Sequence, residues 1–402
     1  MLIGIDGNEA NELRRVGSGQ YGFEVLNYLA KIKTNHSFLI YLKSHPHEGL
    51  PKETKNLHYR FFGPKKFWTQ IGLPLNLYFG SPKPDVFFTP THYAPRFSSI
   101  PVVVTIFDLS FIHFPKMFLP HDLYQLRNWT AYSVRKAAKI ITISQSSKVD
   151  IIKYYKVPQD KVVVTYPGVG EEFRPQSKEK IEVVKKKYGI SGEYILYVGT
   201  LQPRKNLIRL IEAFYEITQN RGKASLLRSA EPTLLQAQGD AEQSRSIRTQ
   251  NFQLVIAGKK GWLYDEIFKK VKDLELENEV IFTDFVEDVD LPALYFGAKV
   301  FVNVSLWEGF GIPVAEAMAC GAPAVVSNTS SLPEVAGDAG ILVNPENVNE
   351  IAEGIAKILQ LPKPEYNALK ENQFNNPKNS PGKNVQEKPF MFWHKLLLNF
   401  SS

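Results

Sequence analysis

The pattern of apolar and polar residues along the chain predicts alternating strands and helices. Short apolar runs recur between segments whose apolar residues are three or four positions apart. In the first half, these runs lie at 2–5, 38–42, 86–88, 102–106, 140–143 and 162–165. Helical spacing separates several of them, most clearly at 21–32 and 124–138. Continuous apolar runs alternating with helices are typical of a parallel sheet covered by helices.

The same alternation starts again in the second half and predicts a second domain of the same class. Strands are predicted at 194–198, 252–257, 280–282, 300–302, 324–326 and 340–343, after a boundary at Tyr166-Pro167-Gly168. A helix is predicted at about 204–220. We therefore predict an α/β fold of two Rossmann-like, doubly wound domains, at 1–175 and 190–365, that face each other across a cleft.

Two segments depart from this alternation. Residues 221–250 are rich in Ser, Gln, Ala and Arg and contain no aromatic residue. They separate a helix from its next strand, where about two to six residues are usual, so we predict a mobile surface insertion. The tail at 371–402 ends in the apolar sequence PFMFWHKLLLNF. Docking as a final helix is our preferred interpretation of this tail, and lying on a membrane surface is the alternative.

The composition narrows the class of protein and of partner. With 44% hydrophobic and 22% charged residues, the 402-residue chain fits a globular protein with no apolar run near the roughly 18 residues that span a bilayer. A single cysteine, Cys320, fits a reducing compartment. The N-terminus lacks the basic flank of a secretory signal, so we predict a cytoplasmic protein, with the inner membrane surface as an alternative site.

The net charge of +7 favours an anionic partner. Because the cations are spread and no RNA-reading motif occurs, we do not expect nucleic acid.

The most informative stretch is LWEGFGIPVAEAMACGAPAVVSNTSSLP at 306–333. It places Glu308 and Glu316 eight positions apart, with a Gly-Phe-Gly turn and a helix-starting proline between them. The pairs of acceptor oxygens on these carboxylates suit sugar hydroxyls, such as the two of a ribose diol. The alternative is that both glutamates are ordinary solvated residues.

The helix start in this stretch predicts an anion site. A proline in the first turn leaves neighbouring amides without helical partners, and we expect these to be the amides of Gly311, Ile312 and Val314. Free amides and the helix dipole together favour a phosphate group. The glycines allow the backbone to approach such a ligand closely.

Taken together, these features resemble the Glu-x7-Glu region of the family-4 retaining glycosyltransferases, which use nucleotide sugars and have the two-domain GT-B fold. The resemblance extends to Pro333-Glu334, to YVGTLQPRKNL at 197–207 and to VVVTIFDLSFIHFP in the first half, and so covers most of residues 1–365. It implies a donor site that includes the turn and helix start at Gly309, Phe310, Gly311 and Ile312, with the nucleotide base near Phe285.

The resemblance also implies roles for two cations and the two acids. Arg204 and Lys205 would hold the donor diphosphate and stabilise it as it departs, while Glu308 orients the sugar and Glu316 the ribose. Many relatives carry an additional arginine where this chain has Thr200, which makes Arg204 the source of the second charge. The alternative is that both cations are solvated residues at a helix start.

Gly17 and Gly19 lie in the loop VGSGQYG, which formally matches G-x-G-x-x-G. A dinucleotide site would need this loop directly after a strand, and an acidic residue at the end of the next strand. Neither condition is met, so a nicotinamide site is disfavoured. The resemblance implies instead that this loop closes over the donor diphosphate, and a plain flexible turn is the alternative.

Phe107-Asp108 is the sharpest departure from the family. Many relatives have a histidine before this aspartate, close to the transferred sugar. Its loss either moves the function to another residue, with His113 a nearby candidate, or marks a subgroup that does without it. Asp108 as a loop cap and His113 as a surface residue are the alternatives.

A further aromatic segment, FFGPKKFWTQIGLPLNLYF at 61–79, has two interpretations. Aromatic residues at helical spacing are usually core residues, and we favour that interpretation. An acceptor-binding or membrane-binding patch is the alternative.

We therefore predict a retaining glycosyltransferase that moves a mannose- or glucose-type hexose from a nucleoside-diphosphate sugar to an acceptor hydroxyl in polysaccharide or glycan assembly. The acceptor would be a glycan or a lipid-linked glycan, with peripheral membrane contact as a further partner. Basic side chains and the helix dipole neutralise the diphosphate, so neither a metal ion nor another cofactor is expected. Two alternatives stay open: a nucleotide-sugar epimerase of the same fold, and a catalytically lapsed nucleotide-sugar-binding or scaffold protein.

Overall fold

A computed structural model describes residues 1–219, apart from 14, 16 and 64, and residues 252–375. The predicted insertion at 221–250 and most of the predicted tail at 371–402 lie outside the described residues. Contacts divide the chain after Pro167 into two units, and each is described by itself. The cleft between the two domains stays a prediction.

The described part of the first unit, Met1–Pro167, is built on a seven-stranded parallel sheet. Its strands are β1 (Leu2–Asp6), β2 (Ser37–Leu42), β3 (Leu57–Phe61), β4 (Val86–Thr89), β5 (Val102–Ile106), β6 (Lys139–Thr142) and β7 (Val162–Val164). They are arranged in the order β3-β2-β1-β4-β5-β6-β7. The helices are α1 (Ser18–Lys31), α2 (Leu73–Phe79, directly after a π-helical turn at Trp68–Gly72), α3 (Ser110–His113), α4 (Pro120–Lys136) and α5 (Gln145–Tyr155).

The second unit begins at Gly168, and its described part repeats this design on a six-stranded parallel sheet. Its strands are β8 (Glu193–Val198), β9 (Phe252–Ala257), β10 (Val280–Asp284), β11 (Val300–Asn303), β12 (Ala324–Ser327) and β13 (Ile341–Val343), in the order β10-β9-β8-β11-β12-β13. The helices are α6 (Lys178–Lys187), α7 (Leu207–Gln219), α8 (Asp265–Asp273), α9 (Leu291–Gly297), α10 (Ile312–Ala319), α11 (Leu332–Ala336), α12 (Val348–Leu359) and α13 (Lys363–Asn375).

The cores explain why these sequences form these elements. Strands β5 and β11 are buried at every residue, as expected for strands covered on both faces. In the second unit, α7 and α12 pack against each other and bury the faces that carry Leu210, Phe214 and Ile355 against the sheet. Burying a side chain of this size contributes about 1.5–3 kcal/mol to folding.

Strand β3 was not predicted from the sequence, and several helix boundaries, among them the start of α1, differ from the prediction. Strand β3, one of the two edge strands of its sheet, is partly exposed, and its sequence has no continuous apolar run. Helix α1 begins at Ser18, three residues before the predicted start, because Gly17 turns the chain at a positive φ of 55°.

In both sheets the first strand lies inside the sheet, and the strand order reverses beside it. Strand β1 pairs with β2 and β4, and β8 pairs with β9 and β11. In doubly wound folds, ligands bind at the carboxyl ends of the strands at this reversal. The loops after β1, β4, β8 and β11 are therefore where a functional site is expected.

Candidate active site

At the carboxyl ends of β8 and β11, the second unit brings together Arg204, Lys205 and Glu308, here called the ion cluster. Arg204 Nη1 lies 3.1 Å from Glu308 Oε2, and Lys205 Nζ lies 2.5 Å from Glu308 Oε1. The three side chains are between 9% and 13% exposed. Two cations and one carboxylate are thus held at the strand-order reversal, with one positive charge in excess.

The cations are positioned by a short turn and not by a long helix. The predicted helix at about 204–220 is wrong at its start, because Arg204 and Lys205 lie in a 3₁₀ turn and α7 begins at Leu207. Asn206, between this turn and α7, is buried and adopts the left-handed conformation that asparagine tolerates. Its Nδ2 donates to the carbonyl oxygens of Val304 (2.9 Å) and Pro345 (2.7 Å). Asn206 therefore fixes the turn to the ends of β11 and β13.

The loop that carries Glu308 is fixed by serines from two strand ends. Ser305 Oγ lies 2.7 Å from Glu308 Oε1 and donates to it. The Glu308 amide donates to Ser330 Oγ (3.0 Å), and Ser331 Oγ donates to the Glu308 carbonyl (2.9 Å). Arg204 also donates to the Trp307 carbonyl. These serines were not predicted from the sequence, although their positions just after β11 and β12 are a usable signal.

Glu308 is charged at every physiological pH. Burial alone would raise its pKa, but the charges of Lys205 and Arg204, with hydrogen bonds from Lys205 and Ser305, outweigh burial and lower the pKa to about 2. A buried charge is tolerated when it is paired and hydrogen-bonded in this way. The carboxylate predicted to hold sugar hydroxyls is therefore already engaged by the two cations, so it also positions them.

Two of the three backbone amides predicted to form the anion site at the start of α10 lack an acceptor among the described residues. Gly311 has a positive φ of 103°, and a Cβ there would lie 2.6 Å from Leu332 Cδ2, so only glycine fits. The amides of Gly311 and Ile312 have no acceptor among the described residues. The expectation for Val314 is wrong, because its amide donates to the Gly311 carbonyl (2.9 Å) in a tight first turn. Two of the three amides therefore point from the helix end without a partner in the described chain.

Glu316 lies one turn inside α10 and has one oxygen occupied. The Tyr295 hydroxyl donates to Glu316 Oε2 (2.8 Å), while Oε1 has no donor among the described residues. Burial raises the pKa of Glu316 to about 7, with Asp288 and Glu172 adding to the increase and the Tyr295 hydrogen bond opposing it. The geometry is compatible with a carboxylate oriented by tyrosine that offers its second oxygen to a ligand hydroxyl.

We expect Glu316→Gln to make the second unit more stable at alkaline pH. Between the unfolded pKa and about 7, the folded protein holds a proton that the unfolded chain releases, so wild-type stability falls as pH rises through that window. The variant lacks this titration. The free energy of unfolding of Glu316→Gln minus that of wild type should therefore be about 2–3 kcal/mol larger at pH 8 than at pH 4.

Urea unfolding from pH 4 to pH 8 measures this effect, with Glu353→Gln, an exposed position on α12, as the control. Parallel stability curves for wild type and Glu316→Gln would contradict the assignment of a buried, proton-binding Glu316.

Phe285 directly follows β10 and is 41% exposed, so it lies at the same edge of the sheet as the ion cluster. Gly309 and Phe310 form the turn between Glu308 and α10, with Phe310 buried. The roles of these residues in base and phosphate binding stay predictions.

The first unit has its own polar cluster at the strand-order reversal. Gly17 precedes α1 and has open space around its Cα, whereas Gly19 lies in the first turn, where a Cβ would come within 2.9 Å of the Glu9 carbonyl. Ser18 Oγ donates to the Glu9 carboxylate. Burial raises the pKa of Glu9. The glycines thus permit a tight helix start beside an acid, and their contact with a donor diphosphate stays a prediction.

His92 was not identified from the sequence and lies beside Phe107. The Phe107 amide donates to His92 Nε2 (3.0 Å), and the two rings stack with centroids 5.7 Å apart. Burial lowers the pKa of His92 to about 4, with Asp108 opposing the shift, so the ring is neutral and carries its proton on Nδ1. That atom is buried and has no partner in the described chain. The signal in the sequence was its place just after β4, at the reversal of strand order.

The other two predicted residues of this unit have local partners. Asp108 Oδ1 accepts from the amide of Ser110 (2.7 Å), the first residue of the short helix α3. His113 Nε2 lies 2.8 Å from Asp150 Oδ2 on α5, and its ring packs edge-on against Tyr154. Catalytic roles for Asp108 and His113 stay predictions. In the structure, Asp108 accepts from the backbone at the start of α3, and His113 links α3 to α5.

The part of the chain that the structure describes has neither a metal-binding cluster nor a membrane-spanning helix. No group of three or more His, Cys, Asp and Glu side chains there is arranged to hold a metal ion. No helix of the described chain has both the length and the apolar character needed to cross a bilayer. Metal independence and cytoplasmic location both stay predictions.

Comparison with known protein families accounts for both units. A family model described as "Glycosyl transferases group 1" matches residues 180–376, and one described as "Glycosyltransferase Family 4" matches residues 17–173. The chain belongs to the glycosyltransferases. The resemblance drawn from the Glu-x7-Glu region is thus confirmed.

Curated relatives of this glycosyltransferase include O-antigen chain mannosyltransferases. The O-antigen chain mannosyltransferase B of Escherichia coli is 31% identical over 280 residues, which cover 69% of this chain and 66% of the relative. The O-antigen chain mannosyltransferase RfbU of Salmonella typhimurium is 27% identical over 259 residues, 64% of this chain and 61% of the relative. The match to the serotype-specific mannosyltransferase WbdA of Escherichia coli spans 25% of that protein. The chain therefore covers less than two thirds of each of these relatives.

Solved structures confirm the predicted fold. HepE from Anabaena, crystallised with UDP and glucose, superposes with a TM-score of 0.70 at 18% identity and covers 98% of this chain and 99% of HepE. WaaG, a glycosyltransferase involved in lipopolysaccharide biosynthesis, superposes with a TM-score of 0.69 at 16% identity, over 96% of this chain and 98% of WaaG. Two parallel-sheet α/β domains of the GT-B class are thus established for this glycosyltransferase.

Proposed function

We propose that this glycosyltransferase moves a mannose-type hexosyl group from a nucleoside-diphosphate sugar to a hydroxyl of a glycan or lipid-linked glycan acceptor, with retention at the anomeric carbon. The observation that carries the proposal is the ion cluster, held at the strand-order reversal of the second unit close in sequence to the unpartnered amides of Gly311 and Ile312. The choice of mannose rests on the mannosyltransferases among the relatives.

The cations of the ion cluster would neutralise part of the negative charge of the donor diphosphate. Two cations face one carboxylate, so a diphosphate binding at the α10 helix start meets one net positive charge and two amide donors. Preorganised charge of this kind stabilises a leaving group without reorganisation during the reaction. Glu308 would keep the cations aligned and contact the sugar, while Glu316 Oε1 would accept a ribose hydroxyl.

Retention would follow from attack on the same face as the departing phosphate. The bond from the anomeric carbon to the diphosphate oxygen breaks, and a bond from that carbon to the acceptor oxygen forms. The acceptor proton passes to the departing phosphate oxygen, giving the nucleoside diphosphate. Because no protein base is required, Phe107 in place of the family histidine is compatible with turnover.

The experiment that tests this proposal is a thermal-shift panel followed by a transfer assay. UDP, GDP and their glucose and mannose conjugates are added to the full chain with and without EDTA. The matching nucleotide should stabilise the protein by about 2.7 kcal/mol at one hundred times its dissociation constant. EDTA should not change that value. The anomeric configuration of the product, read by NMR, tests retention.

Three outcomes would overturn the proposal. Turnover of the donor sugar without an acceptor would indicate an epimerase. Nucleotide binding without transfer to any acceptor would indicate a lapsed, binding-only protein. Absence of stabilisation by every nucleotide would remove the donor site itself.

A further inference from the structure

The helical segment at 67–79 in the first unit has an outer face made of apolar side chains. Its inner face carries residues such as Trp68, Leu73 and Leu77 and lies in the core, so the core interpretation of this segment holds for that face. The exposed side chains of the segment are all apolar or aromatic and are between 49% and 82% exposed: Phe67, Ile71, Leu75, Tyr78 and Phe79. We call these five residues the apolar face.

Such a face needs a partner. Single exposed apolar residues are ordinary on protein surfaces, but a contiguous apolar patch marks an interaction site. Ile71, Leu75 and Phe79 follow each other at intervals of four along the π-helical turn and α2, which places them on one side, and Phe67 directly precedes the turn. No exposed polar side chain interrupts them between 67 and 79.

The charged side chains nearest to the apolar face in the sequence are cations. Residues 54–84 contain five cations and no aspartate or glutamate. Lys65 and Lys66 directly precede the segment and Lys83 follows it, and all three are exposed. Apolar and aromatic side chains bordered by lysines are the features of a helix that lies in the interface of an anionic membrane.

We propose that the apolar face and its flanking lysines dock the first unit on an anionic lipid surface. The aromatic and aliphatic side chains would enter the headgroup and upper acyl region, and the lysines would contact lipid phosphates. A protein partner is disfavoured by this charge pattern, because a membrane is the partner that offers both an apolar layer and a uniform negative surface. This inference stands independently of the proposed function.

The first test is co-sedimentation of the full chain with vesicles. Vesicles containing phosphatidylglycerol should bind the protein, and vesicles of phosphatidylcholine alone should bind it at least about tenfold more weakly. Combined Ile71→Ser, Leu75→Ser and Phe79→Ser should abolish binding, and combined Lys65→Gln and Lys66→Gln should weaken it by about tenfold or more. None of these residues belongs to the candidate active site, and an unchanged far-UV circular dichroism spectrum and urea midpoint show that each variant is folded.

Matched control variants come from α6 in the second unit. Val183→Ser and Lys178→Gln change an exposed apolar residue and an exposed lysine there, and both should leave vesicle binding unchanged. Equal binding to both vesicle types, or binding that survives the triple serine variant, would overturn the proposal.

A second test asks whether another occupant already covers the apolar face. The chain has one cysteine, Cys320, which is buried, so Leu75→Cys can be labelled selectively with an environment-sensitive fluorophore. The emission should shift to the blue only when anionic vesicles are added. A blue-shifted emission before vesicles are added would overturn the proposal. Dependence of that shift on protein concentration would indicate a second copy, and independence of concentration would indicate the chain's own apolar C-terminal segment.

Discussion

Glu308→Ala is expected to lower the free energy of unfolding by about 3–5 kcal/mol, because it leaves two buried cations without their counter-charge. It is also expected to lower kcat by about 10²-fold or more, since the cations lose the geometry in which they would meet the departing diphosphate. The first effect is structural and the second catalytic, so they can be measured separately.

The pH dependence identifies the structural effect. The pKa of Glu308 is lowered to about 2 in the folded protein, so its ionised form stabilises the fold above the unfolded pKa. That stabilisation is lost as pH falls toward 2. The difference in unfolding free energy between wild type and Glu308→Ala should therefore narrow as pH decreases below about 4.5.

Glu346→Ala, at an exposed position of the same unit, is the control for urea unfolding. Glu308→Gln keeps the size of the side chain and removes its charge, and we expect it to be nearly as destabilising. If Glu308→Ala unfolds at the wild-type urea concentration, the ion cluster does not stabilise the fold. Near-normal turnover in a folded Glu308→Gln variant would remove Glu308 from the mechanism.

Most strands could be predicted because parallel strands covered on both faces are continuous apolar runs in the sequence. The runs at 102–106 and 324–326 coincide with β5 and β12 to within one residue. Strand β3 could not be found in this way, because His58 and Arg60 interrupt its sequence, LHYRF, and leave no continuous apolar run.

The ion cluster could be predicted as a set of residues but not as a set of contacts. The spacing of Glu308 and Glu316 and the sequence around Arg204 are local signals that a sequence contains. The distance between Lys205 and Glu308, which are 103 positions apart in the chain, depends on the parallel pairing of β8 with β11. The opposite pKa shifts of the two glutamates follow from that packing as well.

The two-faced segment at 67–79 marks a different limit of sequence analysis. Aromatic residues at helical spacing predict burial, and the prediction is right for Trp68 but wrong for Phe67, Tyr78 and Phe79, which are exposed. It cannot be right for all of them, because a helix on the surface of a sheet has one side available for the core. Which apolar residues remain outside was decided by the register of the helix on the sheet.

Lys205→Met is expected to lower kcat by about 10²–10³-fold, the size of effect that follows removal of one preorganised group that stabilises charge in a transition state. Because Arg204 still pairs with Glu308, the fold should lose less stability than in Glu308→Ala. The variant removes positive charge from the place where the diphosphate would gain negative charge. Lys205→Arg, which keeps the charge, should recover part of the rate.

The nucleotide series separates this role from a merely structural one. Lys205→Met should reduce the thermal stabilisation by the matching nucleoside diphosphate and leave stabilisation by the nucleoside alone unchanged, since the nucleoside has no phosphate for Lys205 to contact. Lys259→Met removes an exposed cation just after β9, at the same edge of the sheet, and should change neither value. Equal losses for diphosphate and nucleoside would mean that Lys205 only supports the fold. A loss of rate in Lys259→Met as large as in Lys205→Met would mean that general positive charge at this edge, and not the paired lysine, stabilises the departing group.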